Sequence, residues 1–213
     1  MLKPTELVNG HTEVRSFKDS IPFYQDLLGF DITDERPGEL TLRHPRTAGW
    51  PLIVHERPDF VDPPLVPVMN HYGVRVAANT EVSAAWESVK ARKERYNIGR
   101  ITKPVFLHRS FCFFFQEPGG NHWEIESYQK AVEEGIGGIA QGHWDEANTL
   151  GPEHAGDTGY VVQAYTHGTL ECDNREKTVA FYENVLGLDT SFSLKETDSS
   201  THTIYLKHPS TPW

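Results

Sequence analysis

The chain has 213 residues, a formal net charge of −10, and 38% apolar against 23% charged residues. That length allows one large or two small domains with real cores, and the acidic balance argues against nucleic acid, whose binding relies on clustered Lys and Arg. No apolar run approaches the roughly 20 residues of a membrane span, and the opening MLKPTELVNG lacks the basic start and apolar core of a signal peptide, so a cytosolic protein is expected.

Three stretches follow one plan. The first, HTEVRSFKDSIPFYQDLLGFDITDE (residues 11–35), opens on a strand with His11, Glu13 and Arg15 on one face and Thr12 and Val14 on the other. A helix follows, with Ile21, Tyr24, Leu27 and Leu28 at helical spacing, Asp19 or Ser20 as cap and Gly29 as its close. Strands are expected at ELTLRH and PLIVHER. The second, HYGVRVAANTEVSAAWESVKARKERYNI (residues 71–98), sets His71, Gly73 and Arg75 against Tyr72, Val74 and Val76. Thr80 is placed to cap its helix, Val82, Ala85, Trp86 and Val89 form the buried stripe, and SFCFFFQE and NHWEIES supply further strands. Residues 133–159, rich in glycine and acids, read as a linker or draped loop. The third, HGTLECDNREKTVAFYENVLGLDTSF (residues 167–192), repeats the first, and YLKHPSTPW (residues 205–213) answers TLRHPRTAGW (residues 41–50).

One helix against three or four strands per unit predicts an α+β fold of paired βαβββ units rather than a parallel βαβ fold. Units at 5–60 and 68–128 make a module over 1–130; residues 131–159 connect it to a partial second module, 160–213. Trp213 is the counterpart of Trp50, so the third unit stops before its last strand. Two expectations follow: a shortened form of a four-unit protein, or a third unit that pairs with another chain. Both favour a homodimer or higher homo-oligomer.

Eleven histidines is the unusual count. The two cysteines, Cys112 and Cys172, are too few for a disulfide framework and read as reduced, buried residues. In PGGNHWEIESY (residues 118–128) a glycine turn runs into a strand carrying Glu124 between Trp123 and Ile125. A half-buried strand has no structural need for that carboxylate, so it either faces water or holds something. If the first two units pack side by side, His11, His71 and Glu124 meet on the concave face. Two imidazoles and one carboxylate leave about three positions open on an octahedral ion, the facial arrangement of non-haem Fe(II) sites. His167 repeats the place of His11 and reads either as a ligand or as inherited pattern. Arg15 and Arg75 flank the two histidines and are placed to hold an anionic substrate or to form ion pairs. Phe111, Phe113, Phe114 and Phe115 form a core strand, with Phe114 the candidate for a pocket wall. His108 is the candidate acid–base group. His44 and His208 recur in RHP and KHP and belong to turns, and His122 shares the face of Glu124.

At these residues the chain resembles the vicinal oxygen chelate superfamily, which holds glyoxalase I, bleomycin- and fosfomycin-resistance proteins and extradiol dioxygenases. The paired units, FYQDLLGF in the first and EPGGNHWEIE ending the second carry the resemblance over residues 5–128, with 160–213 as a further half module. It implies a cupped sheet with His11, His71 and Glu124 as ligands of a divalent metal, Fe(II) first and Mn, Ni or Zn as alternatives. Glyoxalase I has a fourth ligand, a glutamate near the end of the first unit. Aligning TAGWPLI with PGGNHWE puts Ile53 there, with His55 and Glu56 close by. The three-ligand pattern resembles extradiol dioxygenases and fosfomycin thiol transferases, although the dioxygenase tyrosine ten residues before the glutamate is Phe114 here and its histidine is Val105. The expected function is a dioxygenase-like metal enzyme acting on a small substrate with vicinal oxygens. The rivals are an isomerase, epimerase or thiol transferase, and a bleomycin-resistance-like binding protein.

Overall fold

The first repeat folds as β1 (Gly10–Val14), α1 (Phe17–Leu28), β2 (Asp31–Arg36), β3 (Glu39–Arg43) and β4 (Leu52–Glu56), in a computed structural model that describes residues 8–47, 49–61, 70–135, 149–195 and 202–209. Phe23, Tyr24, Leu27 and Leu28 bury one face of α1, and Gly29 closes it at φ 67°, in the left-handed region that favours glycine. The helix starts earlier than its expected caps, Asp19 or Ser20. Ser16 stands at the cap without a side-chain bond, and the Phe17 N–H donates instead to Glu56 Oε1 at 2.9 Å. A carboxylate from β4 thus replaces a local cap. The sheet runs β2-β3-β4-β1, with β1 parallel to β4.

The second repeat supplies β5 (His71–Val76), α2 (Asn79–Ala91), β6 (Val105–Leu107), β7 (Ser110–Gln116) and β8 (His122–Ser127), followed by the short α3 (Gln129–Glu133). Val82, Ala85 and Val89 are buried as their spacing predicts, and the Trp86 indole donates to the Thr102 carbonyl at 2.8 Å. Thr80 is not the cap of α2: Glu81 Oε2 accepts from the Ala77 and Ala78 N–H groups at 2.9 and 3.3 Å. The third repeat gives β9 (Val162–Thr169), α4 (Arg175–Phe181), β10 (Asp189–Lys195) and β11 (His202–Lys207).

The sheet around the second repeat runs β6-β7-β8-β5-β9. Side-by-side packing of the first two units would make β1 the neighbour of β5; the structure puts β9 there instead, antiparallel, with Gly73 opposite His167. The opening strand of the third repeat is therefore part of the sheet of the second. β10 and β11 form a separate antiparallel pair. Residues 136–148 of the expected linker lie outside the described residues, and Pro152–Ala155 makes one short 3-10 turn.

One aromatic cluster joins the three repeats. Trp123 of β8 is fully buried and lies 5.9 Å from Tyr24, 5.8 Å from Phe30, 5.5 Å from Tyr72 and 6.2 Å from Tyr165 between ring centroids. Its neighbours come from α1, the turn after it, β5 and β9, so the strand faces opposite Glu124 share one core. His44 belongs to this junction. It is buried, its Nε2 donates to the Val162 carbonyl at 3.1 Å, and burial lowers its pKa to about 4. Cys112 is buried as expected, whereas Cys172 is exposed. No helix among the described residues is long and apolar enough to cross a membrane.

Glu117, at the turn between β7 and β8, is an acid inside this junction. It accepts from Asn121 Nδ2 at 2.6 Å and from the Trp123 indole at 2.8 Å, while Asn121 also donates to the Glu13 carbonyl of β1 at 2.7 Å. Burial raises its pKa to about 7 against these neutral donors. A carboxyl whose folded pKa is raised stabilises most below its unfolded value, and that contribution is lost as pH rises through about 7. The expected loss between pH 4.5 and 7 is about 3 kcal/mol. Chemical denaturation at pH 5 and pH 8 checks this: Glu117→Gln should flatten the difference, and an undiminished slope would place the pH dependence elsewhere.

Candidate metal centre

Alternation along the five-stranded sheet sends Trp123 and Ile125 into the core and His122, Glu124 and Glu126 to the other face. On that face Glu124 stands opposite Gly73 on β5 and Phe114 on β7, and His167 of β9 stands opposite Gly73 from the far side. Three side chains converge there. His71 Nε2 lies 3.2 Å from Glu124 Oε2, His167 Nε2 lies 3.1 Å from the same oxygen, and the two Nε2 atoms are 3.4 Å apart. Among the described residues this is the group of three or more His, Cys, Asp or Glu whose donor atoms lie close enough for one ion.

Gly73 makes the convergence possible. A Cβ at Gly73 would fall 2.0 Å from the His167 ring, so only glycine lets that imidazole lie across β5. Gly73→Ala should expel His167 from the group and weaken metal binding at least a hundredfold, beyond the roughly 10–100-fold cost of an outer-shell change. A chelator competition titration measures this, with circular dichroism to check the fold; unchanged affinity would remove His167 from the centre.

The charges in this group are strongly coupled. Burial opposes the charged form of Glu124, but hydrogen bonds from His167 and His71 outweigh it and hold the carboxyl well below its ordinary range. Burial likewise opposes a charged His167, but Glu126 and Glu124 hold its proton up to about 10. Without an ion the centre is a buried ion pair, and an ion must displace the His167 proton. The donor set fits a metal. Bonds of about 2.1 Å at right angles separate neighbouring ligand atoms by about 3.0 Å, close to the spacing of these three atoms.

The residues singled out from the sequence fall in different places. His71 and Glu124 come together; His11 does not join them, because β1 sits in the other sheet. His11 is exposed, its Nδ1 3.0 Å from His55 Nε2, with the two rings stacked at 5.3 Å. The β1–β4 register sets Glu13 opposite His55, as β5–β8 sets Gly73 opposite Glu124. His55, not Ile53, therefore occupies the place of Glu124 in the first repeat. Arg75 is buried rather than offered to a substrate, because Glu126 Oε1 takes its Nε and Nη2 at 3.3 and 3.0 Å. Arg15 donates to the Pro118 carbonyl at 3.3 Å. Phe114 lies beside the centre, its ring 5.1 Å from that of His71. His108 sits in the β6–β7 turn at φ 50° and contacts Thr203 at 3.4 Å. Ser110 and Phe114 are four strand steps apart on β7, putting that turn roughly 13 Å from the level of Glu124, too far for direct proton transfer there.

The third member of the centre, His167, carried a readable signal: its place in the repeat, and a glycine inside the strand opposite. What the repeat alone does not give is which unit pairs with which.

The family model of the Glyoxalase/Bleomycin resistance protein/Dioxygenase superfamily matches residues 10–125. The chain belongs to this superfamily. Among solved structures, maize (Zea mays) glyoxalase I is similar at 14% identity and a TM-score of 0.65, over 95% of this chain and 62% of that one. A candidate dioxygenase from Bacillus subtilis is similar at 19% identity and a TM-score of 0.57, over 92% of this chain and 58% of that one. This superfamily member thus spans about three fifths of the length of both. At these identities the likeness concerns the fold, the cupped arrangement of βαβββ units expected from the repeats. The curated proteins include no match to the chain.

Proposed function

We propose that this superfamily member is a metal-dependent enzyme whose centre is His71, Glu124 and His167, and that it acts as an Fe(II) extradiol-type dioxygenase on a small substrate with vicinal oxygens. The observation that carries this reading is the triangle of two imidazole nitrogens and one carboxylate oxygen at 3.1–3.4 Å. Such a set would hold an ion through three donors and would leave its remaining positions to substrate and a second reactant. The ion, when bound, supplies Lewis acidity toward two adjacent substrate oxygens. Glu124 supplies the single negative charge among the three donors, and its burial keeps water from weakening that charge. Phe114 offers an aromatic edge where the substrate body would lie. No proton shuttle is assigned to His108, given its distance along β7.

A second reading keeps the same centre and changes the chemistry: a glyoxalase-like isomerase or epimerase, or a thiol transferase, using Mn, Ni or Zn. The fold similarity to maize glyoxalase I favours weighing it. Elemental analysis of protein purified without oxygen or chelators, followed by oxygen uptake with catechols, separates the two. About one Fe per chain with uptake supports the dioxygenase; turnover of an α-oxo thiol adduct without oxygen supports the isomerase. No bound metal after reconstitution would leave a bleomycin-resistance-like binding protein. The reading retains the homo-oligomer expected from the sequence, which analytical ultracentrifugation checks.

A further inference from the structure

Two residues beyond Glu124 on the same strand face lies a second buried carboxylate, Glu126, only 1% exposed. It is not one of the three converging donors. A carboxylate removed from water needs partners, and among the described residues Glu126 finds four contacts at its Oε1. Oε1 accepts from Arg75 Nε and Nη2 at 3.3 and 3.0 Å and from Thr166 Oγ1 at 3.3 Å. The same oxygen is 3.6 Å from His167 Nδ1, while Thr166 Oγ1 lies 3.1 Å from that nitrogen. The hydroxyl can therefore take the Nδ1 proton of His167 in a hydrogen bond while sharing its own between Glu126 and the Gly73 carbonyl, 3.2 Å away. Arg75 is itself held by the Tyr128 ring, 4.5 Å from its guanidinium carbon.

We propose that Glu126 is a positioning residue of the metal centre, acting through Thr166 to hold His167 by Nδ1 so that Nε2 faces His71 and Glu124. The inference rests on the metal reading above and deepens it. A ligating imidazole has two nitrogens, and the bond made by the one away from the ion fixes both the tautomer and the ring orientation. Thr166 stands next to His167, at the bulge where β5–β9 pairing shifts register between Gly73 and Val74. The bulge brings both of these consecutive side chains to the Glu126 side of the sheet. Arg75 completes the arrangement: it pairs with Glu126, so that of these two buried carboxylates Glu124 is the one left to an ion.

The test uses Co(II) as the probe, with affinity from chelator competition and the visible spectrum as a signature of ligand geometry. Thr166→Val removes the hydroxyl at nearly constant shape, and the pair Arg75→Met with Glu126→Gln removes the relay's end without stranding a charge. Both should lower Co(II) affinity about 10–100-fold and change the spectrum, while Thr166→Ser, which keeps the hydroxyl, should retain both. Parental affinity and spectrum in Thr166→Val and in the double variant would overturn the positioning role. Should the double variant fail to fold, Thr166→Val against Thr166→Ser decides alone. Parental affinity in His71→Ala as well would overturn the metal centre itself, and the inference with it.

Discussion

His167→Ala should abolish tight metal binding, lowering affinity at least a hundredfold, while His11→Ala leaves it unchanged. The two histidines hold equivalent places in the repeat, but only His167 has its Nε2 within 3.1 Å of Glu124 and 3.4 Å of His71. His11 instead stacks on His55 at the exposed face of the other sheet. Losing a ligand should cost more than losing an outer partner, whose removal costs about 10–100-fold. Metal content by elemental analysis, before and after dialysis against a weak chelator, distinguishes the two variants. Loss of the ion in His11→Ala with retention in His167→Ala would mean that the first two units pair in the functional protein. The alanine at 167 acts on folding as well as on binding. His167 is charged and paired in the metal-free state, so its replacement should move stability with pH even where no ion is present.

The largest stability effect is expected at Trp123. Truncation to Ala empties a fully buried site contacted by aromatic rings of all three repeats, and it leaves Glu117 without one of its donors. Buried Trp→Ala changes cost about 3–5 kcal/mol, and the stranded carboxylate adds to that. Urea denaturation followed by circular dichroism measures the loss. Because Trp123 faces away from Glu124 on the same strand, the folded fraction should still bind metal. A loss below about 1 kcal/mol would show that the junction between the repeats is not the stabilising core.

Much of the fold was legible in the residues themselves. The recurrence of a His-led strand, a helix with FY and LG, and paired strands predicts βαβββ units, because each unit must bury the same apolar stripe. The period-2 alternation of NHWEIES puts Trp123 and Ile125 inside and Glu124 outside whatever the neighbours are. The glycine closing α1 follows from its αL conformation. Helix starts were less legible: the first N–H of α1 donates to Glu56 from a distant strand and that of α2 to Gln129 Oε1 of α3, while Glu81 takes the Ala77 and Ala78 N–H groups just before α2; none goes to the nearest Ser, Thr or Asp.

The centre divides in the same way. Residue type and strand face assign His71 and Glu124, since both follow from local alternation. The third donor depends on which strand occupies the free edge of β5, and strand pairing is a contact between segments far apart in the chain. The repeats make β1 and β9 chemically alike, with a histidine at the same place in each. Only the tertiary structure selects β9, and with it His167 over His11. The same holds for Arg75, which sequence alone leaves between a substrate ligand and an ion pair. Packing next to Glu126 makes it the buried partner, because a guanidinium and a carboxylate taken out of water together must satisfy each other.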